Sequence, residues 1–129
     1  MGPEAKLYKK FKKATPKILW HRIENIAIPG MPDVLGYTEK FFYFTVEFKT
    51  TKANKLKFSP HQIAFHTRHN QNTFIMIKTL GPLSPNTSPI SMFHGSRIRE
   101  LVTSGLKLDA CYLGLDACRL ALEQVGSKA

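Results

Sequence analysis

The 129-residue sequence predicts an α/β domain, with a central mixed sheet of four to five strands flanked by helices. Three observations carry that expectation. Phe42, Phe44, Val46 and Phe48 alternate with Phe41, Tyr43, Thr45, Glu47 and Lys49, the period of two of a strand with one apolar face. Thr73–Leu80 (TFIMIKTL) is nearly continuous in apolar residues, as a buried strand is. Between them, Ser59 and Gln62 stand at capping-box spacing with Pro60 at the first helical position, so a helix runs from there to about His69.

The remaining elements follow in order. Glu4–Lys13 reads as a short helix with Leu7 and Phe11 on one face and Lys6, Lys9, Lys10, Lys12 and Lys13 around the rest. Thr15 as N-cap and Pro16 at the first helical position predict a second helix to about Glu24, with Ile18, Trp20 and Ile23 supplying its apolar contacts. Glu24 at its end opposes the helix dipole, a cost that a metal ligand would explain. Asn25–Ile28 reads as a short strand, Pro29-Gly30 as a turn, Pro32–Tyr37 as another strand and Thr38-Glu39-Lys40 as a hairpin connection. Thr50–Phe58, with Lys52, Lys55 and Lys57 and no acid, is expected to be a mobile basic loop. Gly81–Pro89 is an extended loop, Ile90–Phe93 a further strand, and Gly95 or Ser96 the start of a helix to about Thr103. Arg97 and Arg99 fall in that helix's first turn, where a phosphate would relieve two cations at a helix N-terminus. Leu108, Cys111, Leu115, Cys118, Leu122 and Val125 form an apolar seam on a last helix, packed on the parent sheet or on a second copy in a homodimer. Residues 1–129 are thus read as one domain: a basic helix over 4–13, a core over about 16–80, and a C-terminal strand and helices over about 90–125.

Nineteen Lys and Arg against nine acids give a net charge of +10 and a pI near 9.8, which implies a polyanionic partner. Nucleic acid is the first candidate and an anionic membrane surface the second. No apolar run approaches the roughly 20 residues of a spanning helix. The lysine-rich start lacks an apolar segment behind it, so a secretory signal is not expected and a cytoplasmic location is. Cys111 and Cys118 fit a reduced interior better than a disulfide scaffold. Of His61, His66 and His69 only the last two share a helix face, with no cysteine or acid near them in sequence, so a zinc site is not expected.

The stretch from Gly30 to Lys49 carries the chemistry. On the central strand Glu47 and Lys49 project together, and Asp33 lies on the strand before it. If the hairpin loop has three residues, Tyr37 pairs with Phe41 and Asp33 with Thr45, which puts Asp33 diagonal to Glu47 on one face. An even-length loop would send Asp33 to the other face, so an odd length or a compensating bulge is expected. Two carboxylates this close repel unless a hard cation or a proton lies between them. Mg²⁺ or Mn²⁺ suits such a pair and activates water toward phosphorus, while Lys49 would orient that water or offset developing phosphorane charge.

The pattern as a whole, RIEN, PGMPDV, VEFKT and then SPHQ, resembles the PD-(D/E)XK nuclease superfamily, most closely its VRR-NUC and Holliday-junction-resolvase-like members, over roughly Trp20 to Phe65. The resemblance implies a restriction-endonuclease-like core, metal ligands at Asp33 and Glu47, a catalytic lysine at Lys49, a further acid at Glu24 and a glutamine at Gln62. Gln62 also has a sufficient structural explanation as the capping-box partner of Ser59. With Mg²⁺ or Mn²⁺ as cofactor, the implied activity is DNA endonuclease action on branched or duplex DNA. Lys9, Lys10, Lys12, Lys13, Lys52, Lys55, Lys57, Arg97 and Arg99 would contact the backbone. Three alternatives remain: a non-catalytic nucleic-acid-binding module on the same fold, a site-specific endonuclease of restriction or homing type, and a basic membrane- or protein-interaction domain.

Overall fold

The computed structural model describes residues 2–23, 30–81 and 88–126. Helix α1 (Pro3–Ala14) leads into β1 (Leu19–Arg22), β2 (Val34–Tyr37) and β3 (Tyr43–Thr51). Helix α2 (Pro60–Arg68) crosses over to β4 (Thr73–Thr79), which is followed by β5 (Ile90–His94), α3 (Ile98–Ser104), β6 (Tyr112–Leu113) and α4 (Leu115–Glu123). The six strands lie in chain order in one sheet. The β3–β4 pair is parallel, its two strands joined by a crossover through α2; the other pairs are antiparallel. The sheet is mixed and flanked by helices, with one or two strands more than the sequence suggests.

Alternation along β3 and β4 feeds two apolar layers. Phe44, Val46, Phe48, Phe74 and Met76 pack with Leu7 and Phe11 of α1 and with Cys118 and Leu122 of α4. Ile75 and Ile77 pack on the other face with Ile98 and Leu101 of α3, and Phe58 and Ile63 close that layer. Every second residue of β4 therefore meets a different helix pair, which is why its sequence is apolar throughout.

Four expectations are corrected. The helix from Pro16 is instead a short turn followed by β1, which pairs with β2 from Leu19 opposite Tyr37 to Arg22 opposite Val34. Ile18 and Trp20 are buried while Leu19 and His21 are exposed, a period of two. Thr15 is no N-cap: its hydroxyl donates to the Phe11 carbonyl (2.9 Å) and accepts from the Trp20 indole N–H (2.9 Å), which ends α1 and fixes the start of β1. Glu24 and the strand expected over Asn25–Ile28 lie outside the described residues.

The hairpin loop is longer than three residues. Tyr37 pairs with Tyr43, so five residues, Thr38 to Phe42, form the connection, and Phe42 is not part of the core strand. Phe41 adopts a left-handed φ of 70°, costing about 1 kcal/mol for a residue with a Cβ. The loop length is nevertheless odd, so the parity expected for Asp33 is kept. The C-terminal helix over Leu108–Val125 is also broken: Gly114, at φ 94°, separates β6 from α4. Cys111 packs in the α2/α3 layer and Cys118 in the α1/α4 layer, and both are free thiols. The buried part of the seam, Cys118, Leu122 and Val125, packs on the parent sheet. Finally, the basic loop begins later than Thr50, because β3 runs to Thr51, and it carries hydrogen bonds of its own. The Thr51 hydroxyl donates to the Ala53 and Lys55 carbonyls, and the Leu106 N–H to the Asn54 carbonyl (2.8 Å).

Replacing Thr15 by Val leaves the buried Trp20 N–H without its acceptor. Urea denaturation is expected to show a loss of about 1–3 kcal/mol with little change in slope.

Candidate functional site

The β2–β3 register sets Val34 opposite Val46, so one step further Asp33 faces Glu47 directly rather than diagonally. Asp33 lies just before β2, where its Oδ2 accepts the Phe48 N–H at 2.8 Å. That bond holds the carboxylate against β3 beside Glu47. Glu47 lies on the face of β3 opposite Phe44, Val46 and Phe48 and is nonetheless buried: it is 3% exposed, and its Oε1 has no hydrogen-bond partner. Burial, followed by the negative charge and hydrogen-bonding proximity of Asp33, pushes the Glu47 carboxyl up to about 9, with Lys49 opposing and Glu4 adding to the rise.

Lys49 follows two residues on, half-buried. Its ammonium donates to Gln62 Oε1 at 3.2 Å and lies 5.0 Å from the centre of the Phe58 ring. The same Gln62 oxygen accepts the Ser59 N–H (3.0 Å) while Ser59 Oγ accepts the Gln62 N–H (3.1 Å), a complete capping box. Gln62 therefore caps α2, as its spacing from Ser59 predicts, and also holds the lysine, a contact the sequence did not indicate. Deeper on α2, His66 is fully buried with no partner for either ring nitrogen. Burial, then the charges of His69 and Lys49, lowers it to about 4, so it stays neutral beneath the lysine.

The structure adds residues that the sequence reading passed over. Glu4, in the first turn of α1, lies close enough to raise Glu47 electrostatically. It shares a cavity of about 520 Å³ with Tyr8, Arg22, Asp33 and Thr50. A second hollow of about 330 Å³ runs from Glu4 past Lys49 to Lys55 and Lys57. The signal for Glu4 was available: it is the one acid in an otherwise basic helix. Arg22 had none, because its approach depends on β1 replacing the expected helix.

Not every sequence candidate converges here. Lys55 and Lys57 line the second hollow, whereas Lys52 does not. Lys9, Lys10, Lys12 and Lys13 are exposed on α1. Arg97 is engaged by Glu100 through two bonds of 2.7 and 2.8 Å, which satisfies it without a phosphate; Arg99 is exposed.

A search of solved structures finds the Holliday junction resolvase Hjc of the archaeal hyperthermophile Archaeoglobus fulgidus. Its TM-score is 0.51 at 13% identity, over 73% of this chain and 74% of that one. The fold is restriction-endonuclease-like. No protein-family model and no curated protein matches the sequence.

The donor set fits a hard divalent cation. Among the described residues no three of His, Cys, Asp and Glu converge closely enough to enclose an ion. The pair Asp33 and Glu47, with an unpartnered buried oxygen between strands, suits one that keeps waters and takes substrate oxygens for its other positions.

Without a cation, the raised Glu47 carboxyl makes stability fall with pH. The unfolded chain loses this proton first, so the loss accumulates from about pH 4.5 to about 9. In chelator, the thermal midpoint of Glu47→Gln is expected to rise relative to wild type, with a gap that widens between pH 5 and pH 8. Saturating Mn²⁺ or Mg²⁺ at about a hundred times Kd should restore about 3 kcal/mol to wild type and nothing to the variant.

Proposed function

We propose that this chain is a divalent-metal-dependent DNA endonuclease with a preference for branched DNA. The observation that carries the reading is that buried Glu47, with one unpartnered oxygen, stands against Asp33, with Lys49 two residues on along the same strand. A structural carboxylate in that position would be neutralised by a protein donor, and a surface made only to bind phosphate would gain by losing both acids. The fold shared with an archaeal Holliday junction resolvase supports the preference for branched DNA.

In this mechanism Asp33 and Glu47 hold Mg²⁺ or Mn²⁺, which when bound supplies Lewis-acid activation of water and phosphate. Glu4 adds negative charge to the same cavity and stands as a water-mediated contact; Glu24 keeps that same role as a proposal from sequence. Lys49, held by Gln62, orients the attacking water and offsets charge on the phosphorane. The water oxygen bonds to phosphorus as it loses a proton to solvent, the phosphoester P–O bond breaks, and the leaving alkoxide takes up a proton from solvent, giving an alcohol and a phosphate monoester. Lys55 and Lys57 guide the neighbouring backbone along the second hollow. Lys9, Lys10, Lys12 and Lys13 extend that basic surface along α1, with Lys52 and Arg99 as further phosphate contacts.

The test is cleavage of a labelled four-way junction, a linear duplex and a single strand in Mg²⁺, Mn²⁺ or chelator. Cleavage is expected only with metal and fastest on the junction. Lys49→Ala and Glu47→Gln should lower the rate by at least about a hundredfold while leaving junction binding in chelator within a few-fold. Equal cleavage by Lys49→Ala and wild type would remove the assignment. Metal-independent binding with no cleavage of any substrate would instead identify a non-catalytic binding module.

A further inference from the structure

The β2–β3 hairpin ends in a cluster of aromatic rings that the site described above does not use. Phe41 is 78% exposed and Tyr43 53%. Tyr37 stands edge-on to both, with centroids 4.4 Å from Tyr43 and 6.3 Å from Phe41. Leu19, opposite Tyr37 on β1 and also exposed, extends the patch.

The loop is built to hold this arrangement. The Thr38 hydroxyl accepts the N–H groups of Lys40 and Phe42 (both 3.2 Å). Thr38 N–H donates to the Phe42 carbonyl (2.9 Å), and Phe41 N–H to the Thr38 carbonyl (3.0 Å). Phe42, itself 41% exposed, lays its ring on Gly126, so closely that a Cβ there would meet the ring at 2.3 Å. Its neighbour Phe41 is turned outward, in a left-handed backbone conformation that L side chains rarely adopt. Phe42 rests on Gly126 while Phe41, the more exposed of the two, is presented to solvent at a conformational cost that glycine would avoid.

We infer that this tip, Phe41 backed by Tyr37 and Tyr43, is a stacking platform for an unpaired base of single-stranded or frayed DNA. Charge selects the partner. Glu39 and Lys40 cancel within the loop, Lys17 is exposed two residues before Leu19, and the chain as a whole carries +10. That excess repels a second copy and attracts a polyanion. The apolar surface that a polyanionic strand offers to a ring is the face of an unpaired base, whereas a closed duplex keeps its faces stacked. Tyr43 lies four residues before Glu47, about 13 Å along β3, so the tip meets bases a few nucleotides from the proposed cleavage position. The inference rests on the nucleic-acid reading for its partner but not on catalysis.

Binding is measured in chelator by fluorescence anisotropy, with a labelled oligo-dT strand carrying one 2-aminopurine and with a closed hairpin duplex. Phe41→Gly is the decisive variant because it relieves the backbone: its thermal midpoint should equal or exceed that of wild type, so weaker binding cannot be read as unfolding. We expect single-strand affinity to fall about tenfold in Phe41→Gly and in Tyr43→Ala, with loss of 2-aminopurine quenching and with duplex affinity within about twofold. Unchanged single-strand affinity in Phe41→Gly, or an equal loss on strand and duplex, overturns the proposal. So does a drop in sedimentation mass on that substitution, which would assign the patch to a second copy, or loss of binding confined to anionic vesicles. A chain that shows the expected pattern in chelator yet cleaves nothing in Mn²⁺ would sink the nuclease reading alone.

Discussion

A buried carboxylate with one unpartnered oxygen, set against another carboxylate, is the constraint on which the rest of this molecule turns. Glu47 is covered by the sheet and by the α2/α3 layer, and its nearest ionisable neighbour, Asp33, has the same sign. Such a pair is tolerable only when it shares a proton or a cation. The fold provides no donor for the buried Glu47 Oε1, although it provides one for Asp33 through the Phe48 N–H. Asp33 is thus held by the backbone of β3, while Glu47 Oε1 receives no donor from the described residues.

The surrounding elements can be understood as ways of holding that geometry. Helix α2 begins with a capping box whose glutamine oxygen also receives the Lys49 ammonium, so the helix start and the lysine are positioned by one side chain. Helix α1 brings Glu4 to the other side of Asp33, and its end is tied to β1 through Thr15 and the Trp20 indole. Gly36 serves the same purpose, because a Cβ there would lie 2.2 Å from the Phe44 ring that seats β3 on the α1 layer. Disturbing any of these shifts the carboxylates by changing what β2 and β3 rest on.

Much of this was legible in the chain. The alternation from Phe44 to Lys49 marks β3 because burial on the α1 face demands every second residue, and the unbroken apolar run of β4 marks a strand covered on both faces. Ser59, Pro60 and Gln62 mark the start of α2 because capping is a local interaction. The segment from Pro16 misled for the same reason: Thr-Pro is a good helix start by local rules, yet β1 forms there. Pairing with β2 and burial of Trp20 outweigh a propensity worth a few tenths of a kcal/mol per residue. The C-terminal seam misled in a similar way, since spacings of three and four fit a continuous helix until Gly114 turns the chain into β6 first.

By itself the sequence determined the strands and helices whose signals are periodic or capped, the basic character of the surface, and the parity that puts Asp33 and Glu47 on speaking terms. Those depend on near neighbours in the chain and on residue chemistry. Only the tertiary structure decided that Glu47 is buried rather than wet, that Gln62 caps and grips Lys49 at once, and that Glu4 and Arg22 border the same cavity. It also decided that Phe42 rests on Gly126 while Phe41 is the more exposed of the two. Each of these depends on which distant surfaces close over a side chain, and that is set by packing between elements rather than by spacing along the chain.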